Sequence, residues 1–423
     1  MKTLLGTLLQ PASSTRCEIT KDRYVRIGDD GRIASVGSDR ATGDEIVGGP
    51  DCWILPGFID AHLHVAQWDR RGIDGLPVLE WQEKVGYPAE VRLASTAAAR
   101  ALAEEFTRGV IANGTTTVAA FGSSFKQEVE TTFGVFAERG LRAIYGMALN
   151  DMDMPAELLQ QPDQALDDAR ALAAQWHGAA QGRLSYAFSP RTSLRCSEKL
   201  LRGAAALAGM FKCYLQTHVA DSVAERTEFQ NRYPDQIDEV ELLHETGVLG
   251  PRTILAHGAF VDPHQRREIA QSGTSLVNCP VANLFRESGL VDYFVRNASG
   301  IRMALGSSIG GGFEPFMPRV AVEGLQAAKA LRVHSLPRRG GQTLAPSEAW
   351  WLLTTGGAAA LSLGHLIGTI AQGYQADCLV VRPEKWIAEL PEEQQASALL
   401  YTICPQQIEH VFIAGRRVGP TVS

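Results

Sequence analysis

Eight short apolar runs recur between residues 53 and 308, and most are separated from the next by a helical pattern. They are "WILPGFIDAHLH" (53–64), "TTTVAAFG" (115–122), "LRAIYGMAL" (141–149) and "RLSYAFSP" (183–190), then "CYLQTHVA" (213–220), "RTILAHGA" (252–259), "GTSLVNCP" (273–280) and "IRMALGSS" (301–308). Alternation of this kind, repeated eight times, predicts an α/β chain folded as a (β/α)8 barrel. The clearest helix covers 91–113, alanine-rich and amphipathic, and stops at Asn113-Gly114. Further helices are predicted at about 197–211, 236–248, 262–272 and 317–331.

The two ends of the chain read differently. "RYVRIGDDGRIASVG" is a hairpin with its turn at Asp29, Asp30 and Gly31, and "ADCLVVRP" and "IEHVFIAGRRVG" alternate like strands. Residues 1–52 and 365–423 are therefore expected to build one small β unit, and 53–364 the barrel. The opening "MKTLLGTLLQPASS" loosely imitates a secretory leader, but Gly6 and Thr7 interrupt its apolar run, so a first strand is the expectation.

Composition narrows the function classes. Of 423 residues, 45% are hydrophobic and 21% charged, with a formal net charge of −7, the balance of a globular protein. No basic block is interleaved with aromatics, which argues against nucleic acid as a partner. No run reaches the roughly 20 apolar residues of a membrane span. Seven widely spaced cysteines without a C-x-x-C fit a reducing cytoplasm.

A barrel of this kind carries its chemistry at the C-terminal ends of its strands. There the sequence places His62 and His64, Arg191, His218, His257 and Ser308. Residues two apart on a strand face the same side, so His62 and His64 can chelate one ion through neutral ring nitrogens. By itself an H-x-H pair is as readily a satisfied polar edge. His218 and His257 at other strand ends favour the metal reading. His177, His244, His264, His334, His365 and His410 are expected to be surface or packing residues.

"PGFIDAHLH" followed by "VAQW" resembles the opening motif of the amidohydrolase superfamily, and of guanine deaminases in particular. "LEWQEKVGYPAE" (79–90), "NGTTTV" (113–118), "SPRTSL" (189–194), "LQTHVAD" (215–221), "LAHGAFV" (255–261), "NCPVANLFRESGL" (278–290) and "GYQADCLVV" (373–381) continue the likeness in order. The resemblance implies a distorted barrel with a composite β-sandwich, one divalent metal (zinc, with iron as the other option) and often a homodimer. It implies that His62, His64 and His218 hold the metal and that His257 contacts the attacking water or the substrate. Gln67, Trp68 and Arg191 would bind a purine-like ring. The implied reaction is hydrolytic deamination of guanine or a related amino-substituted N-heterocycle.

Two positions depart from the family pattern, and both handle protons. "HVAD" puts Asp221 where the family carries glutamate, and "LGSSIGGG" puts Ser308 where it carries a metal-binding aspartate. Serine is no base near neutral pH. Asp221 taking both proton roles, His257 acting as base, Glu314 folding over the metal, and a Ser308 nucleophile activated by His257 are the possible substitutes. A different reaction on a similar ring, or purine binding without catalysis, are the alternatives to deamination.

Overall fold

The computed structural model describes residues 1–39, 43–292, 299–334 and 344–419. Eight parallel strands form the barrel: Phe58–His64, Thr115–Phe121, Arg142–Gly146, Leu184–Pro190, Tyr214–Val219, Thr253–His257, Ser275–Asn278 and Arg302–Leu305. They correspond one for one to the eight runs of the sequence. The first two strands are buried along their whole length, as parallel strands covered on both faces must be. The eighth meets the first without a regular ladder. Instead the Ser308 N–H donates to the His62 carbonyl at 2.9 Å, and Ser307 donates through its N–H to Asp60 Oδ1 at 2.9 Å and through its hydroxyl to Asp60 Oδ2 at 2.5 Å.

The run at 53–64 proves to be two strands. Trp53–Pro56 ends the strand Glu45–Pro56 of a second sheet, and Phe58 begins the barrel. That second sheet has seven strands, in the order Arg416–Gly419, Ile408–Ile413, Cys378–Val381, Glu45–Pro56, Lys2–Ser13, Arg16–Ile27, Ile33–Gly37. It is one hydrogen-bonded sheet drawn from both ends of the chain, with Leu4, Val25, Val47, Ile54, Val380 and Phe412 in its core. The leader-like opening is its strand Lys2–Ser13.

Outer helices are set by capping and small-residue contacts. Helix Thr96–Ala112 starts where the Ser95 hydroxyl accepts the Ala98 N–H, and it ends at Asn113 before Gly114, whose φ is +76°. It buries Ala99, Leu102, Phe106 and Val110 on one face. Gly109 admits the Trp68 ring, since a Cβ there would lie 2.2 Å from that ring. The base of the barrel is plugged from the C-terminal side. Tyr214 and Ser275, at the starts of their strands, donate to the carbonyls of Leu361 (2.9 Å) and Ala360 (2.6 Å). The other end is left for chemistry. No helix among the described residues is long and apolar enough to cross a membrane.

Arg142 on the third barrel strand is 2% exposed and donates through Nε to Asp377 Oδ2 at 2.8 Å and through Nη2 to Oδ1 at 3.1 Å. Asp377 also accepts the Ala414 N–H at 2.7 Å, so one buried pair ties barrel to sheet. Arg142→Leu strands that carboxylate and is expected to destabilise the fold by about 3–5 kcal/mol. A shift of the urea midpoint checks this. Arg142→Leu with Asp377→Leu should recover much of the loss, and an unshifted midpoint in the single variant would rule the strap out.

Candidate metal centre

Four imidazoles meet at the C-terminal mouth. His62 and His64 come from the end of barrel strand one, His218 from strand five and His257 from strand six. The ligand nitrogens of His62, His218 and His257 all lie within 4.8 Å of one another. His64 Nε2 lies 3.0 Å from His218 Nε2. The sequence expectation named His64 in the ligand set and gave His257 a neighbouring role, whereas the geometry brings all four rings to one centre.

Their partners fix which nitrogen faces that centre. His218 Nδ1 is 2.7 Å from the Arg191 carbonyl, so Nδ1 carries the proton and Nε2 offers its lone pair inward. His257 Nδ1 is 2.8 Å from Asn283 Oδ1, which leaves its Nε2 as the inward lone pair. Burial pushes the pKa of His218 down to about 3, with the His257 charge adding to the effect. Burial holds His62 and His64 far below the usual imidazole range as well. Four neutral rings are the form in which histidine binds metal. The Nε2 atoms of His64 and His218 at 3.0 Å, and a buried His62 Nε2 without a hydrogen bond, are what a cation at this point would satisfy.

Backbone strain sits at the same place. Ala220, His257 and Ser308 have φ of 45°, 67° and 45°, conformations that cost of order 1–3 kcal/mol each for such residues. The glycine-rich turn after strand eight reaches the mouth because it lacks side chains. A Cβ on Gly306 would lie 2.9 Å from His62 Cβ, and one on Gly310 would lie 2.3 Å from Gln67 Cβ.

The other expected residues divide. Gln67 is buried beside this turn. Arg191 is 5% exposed; it donates through Nη2 to Glu90 Oε2 at 2.5 Å and through Nε to Asn150 Oδ1 at 3.1 Å, over the Tyr87 ring. Trp68 is not brought to the site. Its ring packs edge-on against Phe106 and beneath Arg71, against the outer helix. Asp221 and Ser308 are both buried at the mouth. Glu314 does not fold over the centre but accepts the Phe316 N–H at 2.8 Å.

One residue went unremarked in the sequence. Arg286, 5% exposed, follows helix Pro280–Phe285 after strand seven. Its Nη2 lies 3.3 Å from Asp221 Oδ2 and 3.4 Å from His257 Nε2. Burial alone would push the Asp221 carboxyl up, but the facing charges of His257 and Arg286 win and hold it below the usual carboxylate range. The available signal was a basic residue inside "NCPVANLFRESGL", the segment that also supplies Asn283. Of the remaining histidines, His177 accepts the Tyr186 N–H, and His244 and His264 face Glu268 and Asp238, all away from the centre.

Residues 53–418 match the amidohydrolase family model. The chain belongs to the amidohydrolase family. It is 32% identical to the probable guanine deaminase of Deinococcus radiodurans over 98% of this chain and 96% of that protein. It is 29% identical to the guanine deaminase of Escherichia coli over 78% of this chain and 73% of that one. Among solved structures it is similar to guanine deaminase from Bradyrhizobium japonicum, at TM-score 0.93 and 25% identity, with 99% of each chain covered. A guanine deaminase from C. acetobutylicum with bound guanine matches at TM-score 0.93, covering 99% of this chain and 100% of that one, though at 23% identity it speaks for the fold alone. As an amidohydrolase this chain is a hydrolase, and its cluster of imidazoles suits a divalent metal ion.

Proposed function

We propose that this amidohydrolase replaces the exocyclic amino group of guanine, or of a closely related amino-heterocycle, by oxygen from water, releasing ammonia. The observation that supports it best is the convergence of His62, His64, His218 and His257 on one buried point at the barrel mouth. Zinc is the metal of this reading, since neutral imidazoles suit it. A zinc ion there would supply Lewis acidity and lower the pKa of water toward ~7.

The chain's own groups do the rest. His62, His64 and His218 hold the metal in this reading, and His257 turns its Nε2 lone pair to the centre. That lone pair takes the proton of the attacking water. Burial disfavours protonation of His257, and Arg286 at 3.4 Å adds to this against the opposing pull of Asp221, so the base is a weak one. Asp221, shorter than glutamate, tied to Arg286 and 3.4 Å from His257, passes that proton on to the ring nitrogen, and the second proton of the water leaves with the amino group as ammonia when the C–N bond breaks. Gln67 and Arg191 orient that ring, the amide by offering both a donor and an acceptor and the guanidinium by its donors. The Ser308 hydroxyl borders the centre as a neutral neighbour.

Ammonia release from guanine by zinc-reconstituted protein, against the same protein stripped by chelator, tests the reading. Turnover is expected only with metal, and inertness of both forms would overturn it. Gln67→Leu keeps the volume and removes the amide. It is expected to raise KM for guanine about 3- to 10-fold, one lost hydrogen bond, with zinc content unchanged. An unchanged KM would take Gln67 out of the ring site.

Three wider readings are proposals too. The seven cysteines are free in the structure, which supports a reducing cytoplasm. The homodimer rests on the family resemblance, and light scattering tests it. The composite unit is 1–56 with 365–423 beside a barrel of 57–364, the pairing of Trp53–Pro56 with Cys378–Val381 supporting a first boundary at Gly57 in place of 52/53.

A further inference from the structure

Arg286 brings a second cation to a point where a metal would sit. Its guanidinium is charged at any working pH. Nη2 lies 3.4 Å from His257 Nε2, the very lone pair turned to the centre. Nε is buried and has no hydrogen-bond partner. Gly311 makes room for it, because a Cβ there would lie 3.1 Å from that nitrogen. No solvent is at hand to screen the charge, since Arg286, Asp221 and His257 are all 5% exposed or less.

The charges around the centre can be counted. Asp221 balances Arg286, at 3.3 Å. Arg191 is balanced by Glu90 at 2.5 Å. Asp60 lies behind His62, with both oxygens taken by Ser307. Ser308 contributes no charge, and the imidazoles in their metal-binding form contribute none. With only the Asp60 carboxylate behind His62 left over among these groups to offset it, a divalent ion on the histidines would keep part of its charge in a buried site, beside an unsatisfied guanidinium donor.

We infer that the site takes its metal together with an anionic ligand, so that the preferred substrate is a heterocycle bearing negative charge, bound by Arg286 as well as by the metal-loaded histidines. This rests on the reading of the site as a metal-dependent ring site and refines its substrate class. The charge sits either on a deprotonated ring nitrogen or on a ring carboxylate. Either satisfies the same donors. Metal and anion then strengthen each other's binding, by the same factor in both directions. Without an anion, Arg286 weakens metal binding, by about 10-fold once the pairing with Asp221 is allowed for.

The test measures binding, with no turnover needed. Zinc affinity is read by competition with a chromophoric chelator, alone and with urate (a ring anion), orotate (a ring carboxylate) or hypoxanthine (a neutral purine). In the unaltered protein urate or orotate is expected to tighten zinc about 10-fold and hypoxanthine hardly at all. Whichever anion acts identifies where the charge sits. In Arg286→Gln, zinc alone should bind about 10-fold tighter, and the preference for the anion should shrink by a similar factor. Arg286→Lys should restore the weak zinc binding. Equal effects of hypoxanthine and both anions on the unaltered protein would overturn the inference, whether or not the variants fold. So would a well-folded Arg286→Gln protein with unchanged zinc affinity. Anion-linked zinc binding without guanine turnover would sink the guanine reading and leave this one standing. Guanine turnover with hypoxanthine matching the anions would do the reverse.

Discussion

Ser308→Asp is expected to raise guanine deamination by the zinc-loaded protein about 10²- to 10⁴-fold, the usual contribution of a positioned base. The position is fixed by the backbone: the Ser308 N–H bonds the His62 carbonyl at 2.9 Å, so a side chain here starts beside the imidazole cluster. Aspartate tolerates the left-handed conformation at φ 45° better than most residues. It would add an anion where a bound metal would leave excess positive charge, and a proton acceptor stronger than His257. Steady-state ammonia release at matched zinc content measures the change. An unaltered rate would mean that His257 or Asp221 already takes the proton efficiently, and that Ser308 is a compensated exchange. A lower rate would mean that the site works on a ligand which itself brings the negative charge.

His218→Ala is expected to lose bound zinc and to cut kcat on the order of 10³-fold, about 4 kcal/mol. His218 is held by its Nδ1 to the Arg191 carbonyl at 2.7 Å, and its Nε2 is the nitrogen closest to His64. It belongs both to the compact trio with His62 and His257 and to the set with His62 and His64. Metal analysis after dialysis, beside the ammonia assay, measures both losses. His64→Ala run in parallel separates the sets. If it keeps zinc while His257→Ala does not, the ion rests on His62, His218 and His257. The opposite pattern places it on His62, His64 and His218. A His218→Ala protein with full zinc and full rate would remove the metal centre from this cluster altogether.

Much of this site lies open to reading in the sequence because its residues are tied to strand ends. An apolar run that stops at a histidine marks both a strand and its end at the barrel mouth, and three such endings, carrying four histidines, were visible at 62–64, 218 and 257. Arg286 was not, because its helix is only six residues long and nothing in the local pattern shows where its side chain goes. Trp68 went astray for a related reason. It stands one residue after Gln67, and in the tight turn Val65–Arg70 neighbouring side chains point in different directions. One faces the glycine-rich turn and the other faces Phe106.

The alternation that makes a barrel, the inward pairing of His62 with His64, the return of the chain's end to its start and the absence of an acid at Ser308 all follow from residue order alone. These are local or periodic properties, set by side-chain spacing and by residue chemistry. That His257 stands as close to the centre as the others, that Asp221 spends its charge on Arg286 and that Arg191 is held by Glu90 became visible only in the folded chain. The last two contacts join residues 65 and 101 positions apart in the chain. They depend on barrel closure, which brings strand ends within a few ångströms. No pattern along a single strand encodes a distance across the mouth.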